Sequence, residues 1–173
     1  MKRPTTAEEL AEMHKLLRTD PQKYLGIVSD WIKENPDDPN PYFGRHYAWM
    51  ELGEPRRALD DMNTSIKLDP NKYSYIARGE VHRHLGEYEQ AAQDFARAEA
   101  IDPEGWQRDG ICLLFQADAH ARLGREQQAL DCCNRLPDDF WTPGVFGTPG
   151  GGKAEIADEL RRRAFKARQR DLG

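Results

Sequence analysis

The sequence predicts an all-α protein in which helix-turn-helix repeats stack into a solenoid, and three observations support this. Residues 52–55 (Leu-Gly-Glu-Pro) and 85–88 (Leu-Gly-Glu-Tyr) occupy corresponding places 33 residues apart. Within each copy, apolar residues recur at spacings of three and four, which is typical of amphipathic helices. A short Gly-containing turn separates the two helical runs of a copy. Each repeat is therefore expected to be an antiparallel helix pair.

The repetition continues downstream. The Asp-Pro pair at 69–70 recurs at 102–103, again with a shift of 33 residues. A third copy at 122–131 is offset by 38 residues from the second. The inserted residues are expected at 104–109, where they would lengthen the turn or the next helix.

The second copy resembles the tetratricopeptide repeat, whose signature is an aromatic residue, Leu-Gly, Tyr, Ala-x-x-x-Phe and a closing Pro. The matching residues are Tyr75, Gly79, Ala91, Phe95, Ala98 and Pro103. The first copy departs from the signature at His46, in a Gly place, and at Met62, in the Phe place. The third copy departs furthest, because Pro137 ends its second helix early. The resemblance covers 39–137 and identifies a small bacterial-type member with about three clear repeats.

On this pattern the chain divides into six segments. Residues 1–38 form an N-terminal helix pair, which could be a degenerate repeat, with Thr6 and Glu9 as a capping box. Three repeats and a Pro/Gly-rich loop follow, and a charged helix closes the chain as a solubilising cap. The three repeats span 39–71, 72–105 and 106–137, the loop spans 138–152, and the charged helix spans 153–173.

Charge and composition argue against several classes of protein. The net charge is -5, which argues against a dedicated nucleic-acid protein, although the segment 153–173 is itself basic. No apolar run suggests a signal peptide or a membrane span, so a cytoplasmic protein without a membrane partner is expected. Three cysteines are an odd number, and two of them are adjacent, which disfavours a disulfide framework.

The search for chemistry predicts no enzyme, no cofactor and no metal. Residues 147–153 imitate a phosphate-binding loop, but Ala154 stands where Ser or Thr would ligate magnesium, and no buried strand is expected before the loop. His82 and His84 point to different faces of a helix and cannot easily share an ion. The aromatic loop 140–146 should either fold back on the stack or touch a partner, and folding back is favoured.

The resemblance implies that the first helix of each repeat lines a concave groove that binds another protein or a peptide. The residues placed there are Phe43, Tyr47, Met50, Tyr73, Ile76, Glu80, Arg83, Leu114, Phe115, Asp118 and Arg122. The clamp by which some relatives grip a C-terminal carboxylate is missing, since its places hold Phe43, Tyr47, Ala77, Ile111 and Phe115. We therefore expect a peptide or helix with apolar anchors. Coverage of this groove by the C-terminal loop or helix is equally compatible with the sequence.

The predicted function is a non-enzymatic adaptor, scaffold, assembly factor or chaperone-like module, similar in size to small bacterial secretion chaperones. The alternative is a nucleic-acid-associated protein that uses the basic C-terminal helix at 161–163. A third class, a nucleotide-dependent enzyme, would depend on Lys153. The oligomeric state is left open.

Overall fold

The computed structural model describes residues 4–108, 110–144 and 147–170, with side chains at 106–108 left aside. Within these residues the protein is helical, with one short antiparallel hairpin. The helices are α1 Ala7–Thr19, α2 Pro21–Glu34, α3 Pro39–Glu51, α4 Pro55–Leu68, α5 Lys72–His84, α6 Tyr88–Ile101, α7 Pro103–Arg108, α8 Gly110–Arg122, α9 Glu126–Asn134 and α10 Lys153–Arg170. The hairpin strands are β1 Trp141–Thr142 and β2 Gly151–Gly152.

The chain forms two compact units, Met1–Val81 and His82–Gly173, and the division falls within α5. In the first unit, α2 packs between α1 and α3, and α3 pairs with α4. In the second unit, α8 packs against α6, α9 and α10. Each unit therefore has helix pairs around its own apolar core.

The first unit opens with the predicted capping box. The Thr6 hydroxyl accepts from the Glu9 backbone N–H at 3.2 Å, and the Glu9 carboxylate accepts from the Thr6 backbone N–H at 3.0 Å. Two otherwise unpaired donors at the start of α1 are thus satisfied, which confirms the prediction. The core that α1, α2 and α3 enclose consists of Met13, Tyr24, Leu25, Val28, Trp31 and Ala48.

Three glycines end the first helix of successive repeats with one geometry. Gly53, Gly86 and Gly124 have φ angles of 72°, 76° and 73°, a left-handed conformation that Gly adopts without a Cβ clash. The residue after each glycine donates its backbone N–H five residues back: Glu54 to Trp49 at 2.8 Å, Glu87 to His82 at 2.8 Å and Arg125 to His120 at 2.9 Å. The repeated Leu-Gly signal is therefore a helix C-cap that turns the chain into the second helix.

The core of the second unit follows the signature positions. Ala91, Phe95 and Ala98 on α6 are fully buried. The Phe95 ring stacks on Phe115 of α8 with centroids 6.1 Å apart. A small residue one turn before a large aromatic lets the helices approach while the ring fills the gap between them.

Most of the insertion between the second and third repeats is helical and belongs to α7. Its start is stabilised by the Asp102 carboxylate, which accepts from the Gly105 backbone N–H at 2.9 Å. The last residue of this predicted insertion, Asp109, lies outside the described residues.

The predicted loop at 138–152 contains the β1–β2 hairpin, in which Trp141 pairs with Gly152 and Thr142 with Gly151. Phe140 folds back on α8, where its ring occupies the space beside Gly110 that a larger side chain would need. Trp141 is 67% exposed. Folding back is thus confirmed for one of the three predicted aromatic groups, while Phe146 lies outside the described residues.

Helix α10 is polar overall but buries one stripe, and it packs on α8 and α9. The stripe consists of Ile156, Leu160, Ala164 and Ala167, at the spacings expected for one helix face. In the part of the chain that the structure describes, no helix has the length and apolar character needed to cross a bilayer.

Candidate binding site

The residues predicted to line the groove fall in both units and differ in exposure. In the first unit, Tyr47 is 44% exposed and Tyr73 is 62% exposed. Four others there are half-buried: Phe43, Met50, Ile76 and Glu80. The first unit therefore presents accessible aromatic surface at the predicted positions.

Phe43, Tyr47 and Tyr73 line one cavity of about 460 Å³ in the first unit. We call it the tyrosine pocket. Its polar lining includes Asp69 and Asn71, from the turn between α4 and α5. Three aromatic rings share this lining with five polar residues, so the cavity can hold an apolar side chain and also form hydrogen bonds to the segment that carries it.

The two rings on α3 are held by their neighbours. Phe43 and Tyr47 are one helical turn apart and meet edge to face, with centroids 5.7 Å apart and planes at 82°. The centroid of the buried His46 ring lies 3.9 Å from that of the Tyr47 ring, and His46 Nδ1 contacts the Phe43 carbonyl oxygen. Burial lowers the pKa of His46 to about 4, so the ring is neutral at physiological pH.

The Tyr47 phenol remains a hydrogen-bond donor. Burial, and secondarily the negative charge of Glu80, raise the pKa of Tyr47 above its ordinary value. The hydroxyl is therefore protonated throughout the neutral range. An amphipathic side chain of this kind can cover an apolar group and donate to a backbone carbonyl of a bound segment.

The other wall is positioned by the start of α5. The Asn71 side chain accepts from the Ser74 backbone N–H at 3.1 Å and donates to the Asp69 carboxylate at 2.9 Å. The Lys72 ammonium lies 5.0 Å from the centre of the Tyr73 ring. These contacts fix the turn from which Tyr73 projects and leave most of its ring accessible.

The predicted groove residues of the second unit are mostly buried. Leu114 and Asp118 have no exposed surface, and Phe115 is 2% exposed. Arg83 donates to the Asp118 carboxylate at 3.0 Å, and its guanidinium lies 4.9 Å from the centre of the Phe115 ring. Arg83 therefore contacts both Asp118 and Phe115, and none of the four side chains faces solvent.

The C-terminal segment covers this part of the second unit. Asp118 also accepts from Arg122 at 3.0 Å and from Arg163 of α10 at 2.5 Å. The same two arginines donate to the Gly147 carbonyl oxygen, at 3.3 Å and 2.8 Å respectively. The sequence left open whether the groove residues face a partner or are covered by the C-terminal loop or helix. In the second unit, the C-terminal loop and helix cover them. The Arg122–Asp118 pair could have been found from its four-residue spacing, whereas Arg163 carried no local signal.

Two other groups considered from the sequence have structural partners. The Lys153 ammonium donates to the Leu136 carbonyl oxygen at 2.9 Å and to the Asp138 carboxylate at 3.1 Å, so it joins α10 to the end of the third repeat. His82 Nδ1 lies 2.7 Å from the Glu87 carboxylate across the repeat turn. Over residues 4–108, 110–144 and 147–170, no three His, Cys, Asp or Glu side chains are grouped as metal ligands would be.

Most arginines of α10 have carboxylate partners within the second unit. Arg161 pairs with Asp158 at 2.7 Å and Arg162 with Glu159 at 2.9 Å, while Arg168 lies 2.6 Å from the Glu126 carboxylate. The run at 161–163 is therefore largely neutralised by its neighbours, as expected for an exposed mixed-charge helix.

Antiparallel helix pairs, joined by the same glycine C-cap in successive copies, define the chain as a helical repeat protein. The family model of the tetratricopeptide repeat matches residues 48–105. The family resemblance and the all-α repeat fold predicted from the sequence are therefore confirmed. This fold supports a role as a protein-interaction module.

Known proteins similar to the chain agree with this assignment. The human Protein SGT1 homolog is 31% identical over 111 residues, or 61% of this chain and 30% of that protein. The Hsp70-Hsp90 organizing protein 3 of Arabidopsis thaliana is 31% identical over 113 residues, or 62% of this chain and 20% of that protein. The chain thus matches less than a third of the length of either relative. The crystal structure of MamA has the same fold, with a TM-score of 0.68 at 13% identity, over 98% of this chain and 99% of that one.

Proposed function

We propose that the chain is a non-enzymatic adaptor or chaperone-like module that binds a peptide or short helix with apolar anchors in the tyrosine pocket. The proposal rests mainly on the pocket itself, where Phe43, Tyr47 and Tyr73 line one cavity and part of each tyrosine ring is accessible to a ligand. A cytoplasmic location is part of the proposal.

The energetics favour an apolar anchor. Tyr and Trp dominate the binding energy of protein interfaces, because they present large apolar area with few rotatable bonds. The contacts of Phe43 and Tyr47 with each other and with His46 already restrict the α3 rings. A ligand would therefore lose little side-chain entropy in ordering this wall of the pocket.

The relatives supply the adaptor element of the proposal. One of them is named as an organizing protein for Hsp70 and Hsp90, which is consistent with a chaperone-associated role. The clamp places that would grip an acidic C-terminal tail hold Phe43, Tyr47 and Ala77 in the first unit. We therefore propose that any client is held there through apolar groups rather than through its terminal carboxylate.

Selection from a random phage-displayed peptide library would test the proposal, with affinities of the selected peptides then measured by isothermal titration calorimetry. Tyr47→Ala/Tyr73→Ala should weaken binding by about tenfold or more, as expected when hot-spot residues are truncated. The matched control is Trp141→Ala, which removes an exposed aromatic residue of the second unit.

Selected peptides should share large apolar residues and should bind the Trp141→Ala variant as they bind the wild type. If the selected peptides bind the double tyrosine variant with unchanged affinity, the pocket is not the site. The same conclusion follows if the selection does not enrich apolar residues. The nucleic-acid alternative requires a strong dependence on salt, and the ion pairs of α10 give it no added support.

A further inference from the structure

The second unit contains a cavity of about 490 Å³ of a different character. It is lined by Arg122, Arg163, Phe165, Lys166, Gln169 and Arg170. We call it the cationic pocket. Its described lining has four side chains with a formal positive charge, one exposed aromatic ring and no carboxylate, although the net charge of the chain is -5.

The inner part of the pocket is preorganised. Arg122 and Arg163 are held by Asp118 and by the Gly147 carbonyl oxygen, and Arg122 also donates to the Tyr88 hydroxyl at 3.1 Å. Asp118 carries one negative charge but contacts three arginines, because Arg83 also donates to it. Glu159 accepts from Arg163 at 3.0 Å, but it is shared with Arg162. The positive charge at this site therefore exceeds the negative charge that contacts it.

The outer part of the pocket is exposed to solvent. Among residues 4–108, 110–144 and 147–170, no carboxylate lies within ion-pair distance of Lys166 or Arg170, unlike the pairs made by Arg161 and Arg168 on the same helix. Phe165, beside them, is 58% exposed. Spacings of three and seven residues place Lys166 and Arg170 on the helix face of Arg163, and the row spans about 10 Å along the axis at 1.5 Å per residue.

We propose that the cationic pocket binds an acidic protein segment, in which at least two side-chain carboxylates flank an apolar residue. The carboxylates would pair with Lys166 and Arg170, and the apolar residue would cover Phe165. Side-chain carboxylates two residues apart in an extended segment lie on the same face about 7 Å apart, close to the rise of about 6 Å between Lys166 and Arg170 along α10. This site lies wholly in the second unit and does not depend on the tyrosine pocket.

The small number of cations without a carboxylate partner in the described chain, and the exposed aromatic ring beside them, favour a protein ligand over a nucleic acid. Affinity for nucleic acid rises with the number of phosphates neutralised, and only Lys166 and Arg170 of this pocket lack a carboxylate partner in the described chain. An exposed Phe beside two cations suits an amphipathic acidic segment, because apolar contact and charge pairing are then satisfied together.

The proposal can be tested by fluorescence anisotropy on the full chain with three labelled probes. The first is the C-terminally amidated peptide Glu-Glu-Leu-Glu-Glu-Leu, and the second is its Gln-Gln-Leu-Gln-Gln-Leu counterpart. The third is single-stranded oligothymidylate. Amidation ensures that all carboxylates of the probe come from side chains. The pocket variants are Lys166→Glu/Arg170→Glu and Phe165→Ala, and the charge-matched control is Lys33→Glu/Lys67→Glu on exposed helix positions of the first unit.

We expect the acidic peptide to bind and its amide counterpart to bind at least about tenfold more weakly. Lys166→Glu/Arg170→Glu should weaken binding by about tenfold or more, Phe165→Ala by several-fold, and the charge-matched control by no more than about twofold. Circular dichroism would confirm that the variants fold. If the charge reversals in the pocket and in the control weaken peptide binding equally, the effect comes from net charge alone and the proposal is wrong. Absence of binding, or tighter binding of oligothymidylate with the same dependence on Lys166 and Arg170, would also overturn it.

Discussion

Arg83 and Asp118, which the sequence places in the groove, form a buried ion pair in the second unit, with 3.0 Å between the guanidinium nitrogen and the carboxylate oxygen. Their side chains are 7% and 0% exposed. Arg122 and Arg163 bind the same carboxylate. Asp118 therefore joins α10 to the third repeat and stabilises the second unit.

Asp118→Asn should destabilise the protein by about 3 kcal/mol, because removal of one member of a buried ion pair leaves its partners uncompensated. The loss would be measured as the change in the free energy of unfolding by urea. Asp60→Asn, at an exposed position of α4, is the control and should cost less than about 0.5 kcal/mol. If both substitutions have the same small effect, the Asp118 cluster is not a stabilising centre.

Features set by neighbouring residues could be predicted from the sequence. Gly53, Gly86 and Gly124 mark the repeat turns because the left-handed C-cap requires Gly wherever it recurs. Likewise, the Thr6 and Glu9 capping box needs only residues three apart. Both features were therefore visible without knowledge of tertiary contacts.

Features that depend on distant contacts could not be predicted in this way. Arg163 meets Asp118 across 45 residues of sequence, and no periodicity connects them. The β1–β2 hairpin forms within a Pro/Gly-rich segment that carries no alternating apolar pattern. Helix periodicity predicted which residues of α8 share a face, but not that α10 would cover part of that face. In the first unit, by contrast, the predicted groove residues Tyr47 and Tyr73 are exposed.

Phe95→Ala should cost about 3–5 kcal/mol of unfolding free energy, because the ring is fully buried against Phe115 and its removal leaves a cavity. Phe165→Ala is the matched control, since that ring is 58% exposed, and it should cost less than about 1 kcal/mol. Chemical denaturation of the two variants under the same conditions provides the comparison. Similar losses for both would show that Phe95 is not a core residue.

Acidification should destabilise the first unit through His46. Burial lowers the pKa of His46 to about 4 in the folded state, against an ordinary value of 6.5. The unfolded chain therefore binds the proton more tightly, so this contribution to stability is complete above pH 6.5 and is lost as the pH falls towards about 4. At about pH 5 the expected loss is about 2 kcal/mol, at 1.36 kcal/mol per pKa unit.

Urea unfolding at neutral pH and at about pH 5 would measure this loss. His46→Gln removes the titrating group and should reduce the pH dependence, whereas His14→Gln, at an exposed position of α1, should leave it unchanged. Equal pH dependence in the wild type and His46→Gln would exclude His46 as the source.

The three cysteines should react with thiol reagents only when the protein unfolds. Cys112, Cys132 and Cys133 are free and buried. Burial raises the pKa of Cys132 to about 12 and also raises the pKa of Cys133, so at pH 8 these two groups hold their protons more tightly than ordinary thiols. Because the thiolate is the reactive form, labelling by Ellman's reagent should be at least about a hundredfold slower in the folded protein than in denaturant.

Gln128→Cys, at an exposed position of α9, provides the internal standard and should add one rapidly labelled thiol. A native cysteine that reacts as fast as this standard would show that the packing of α8 and α9 opens readily in solution.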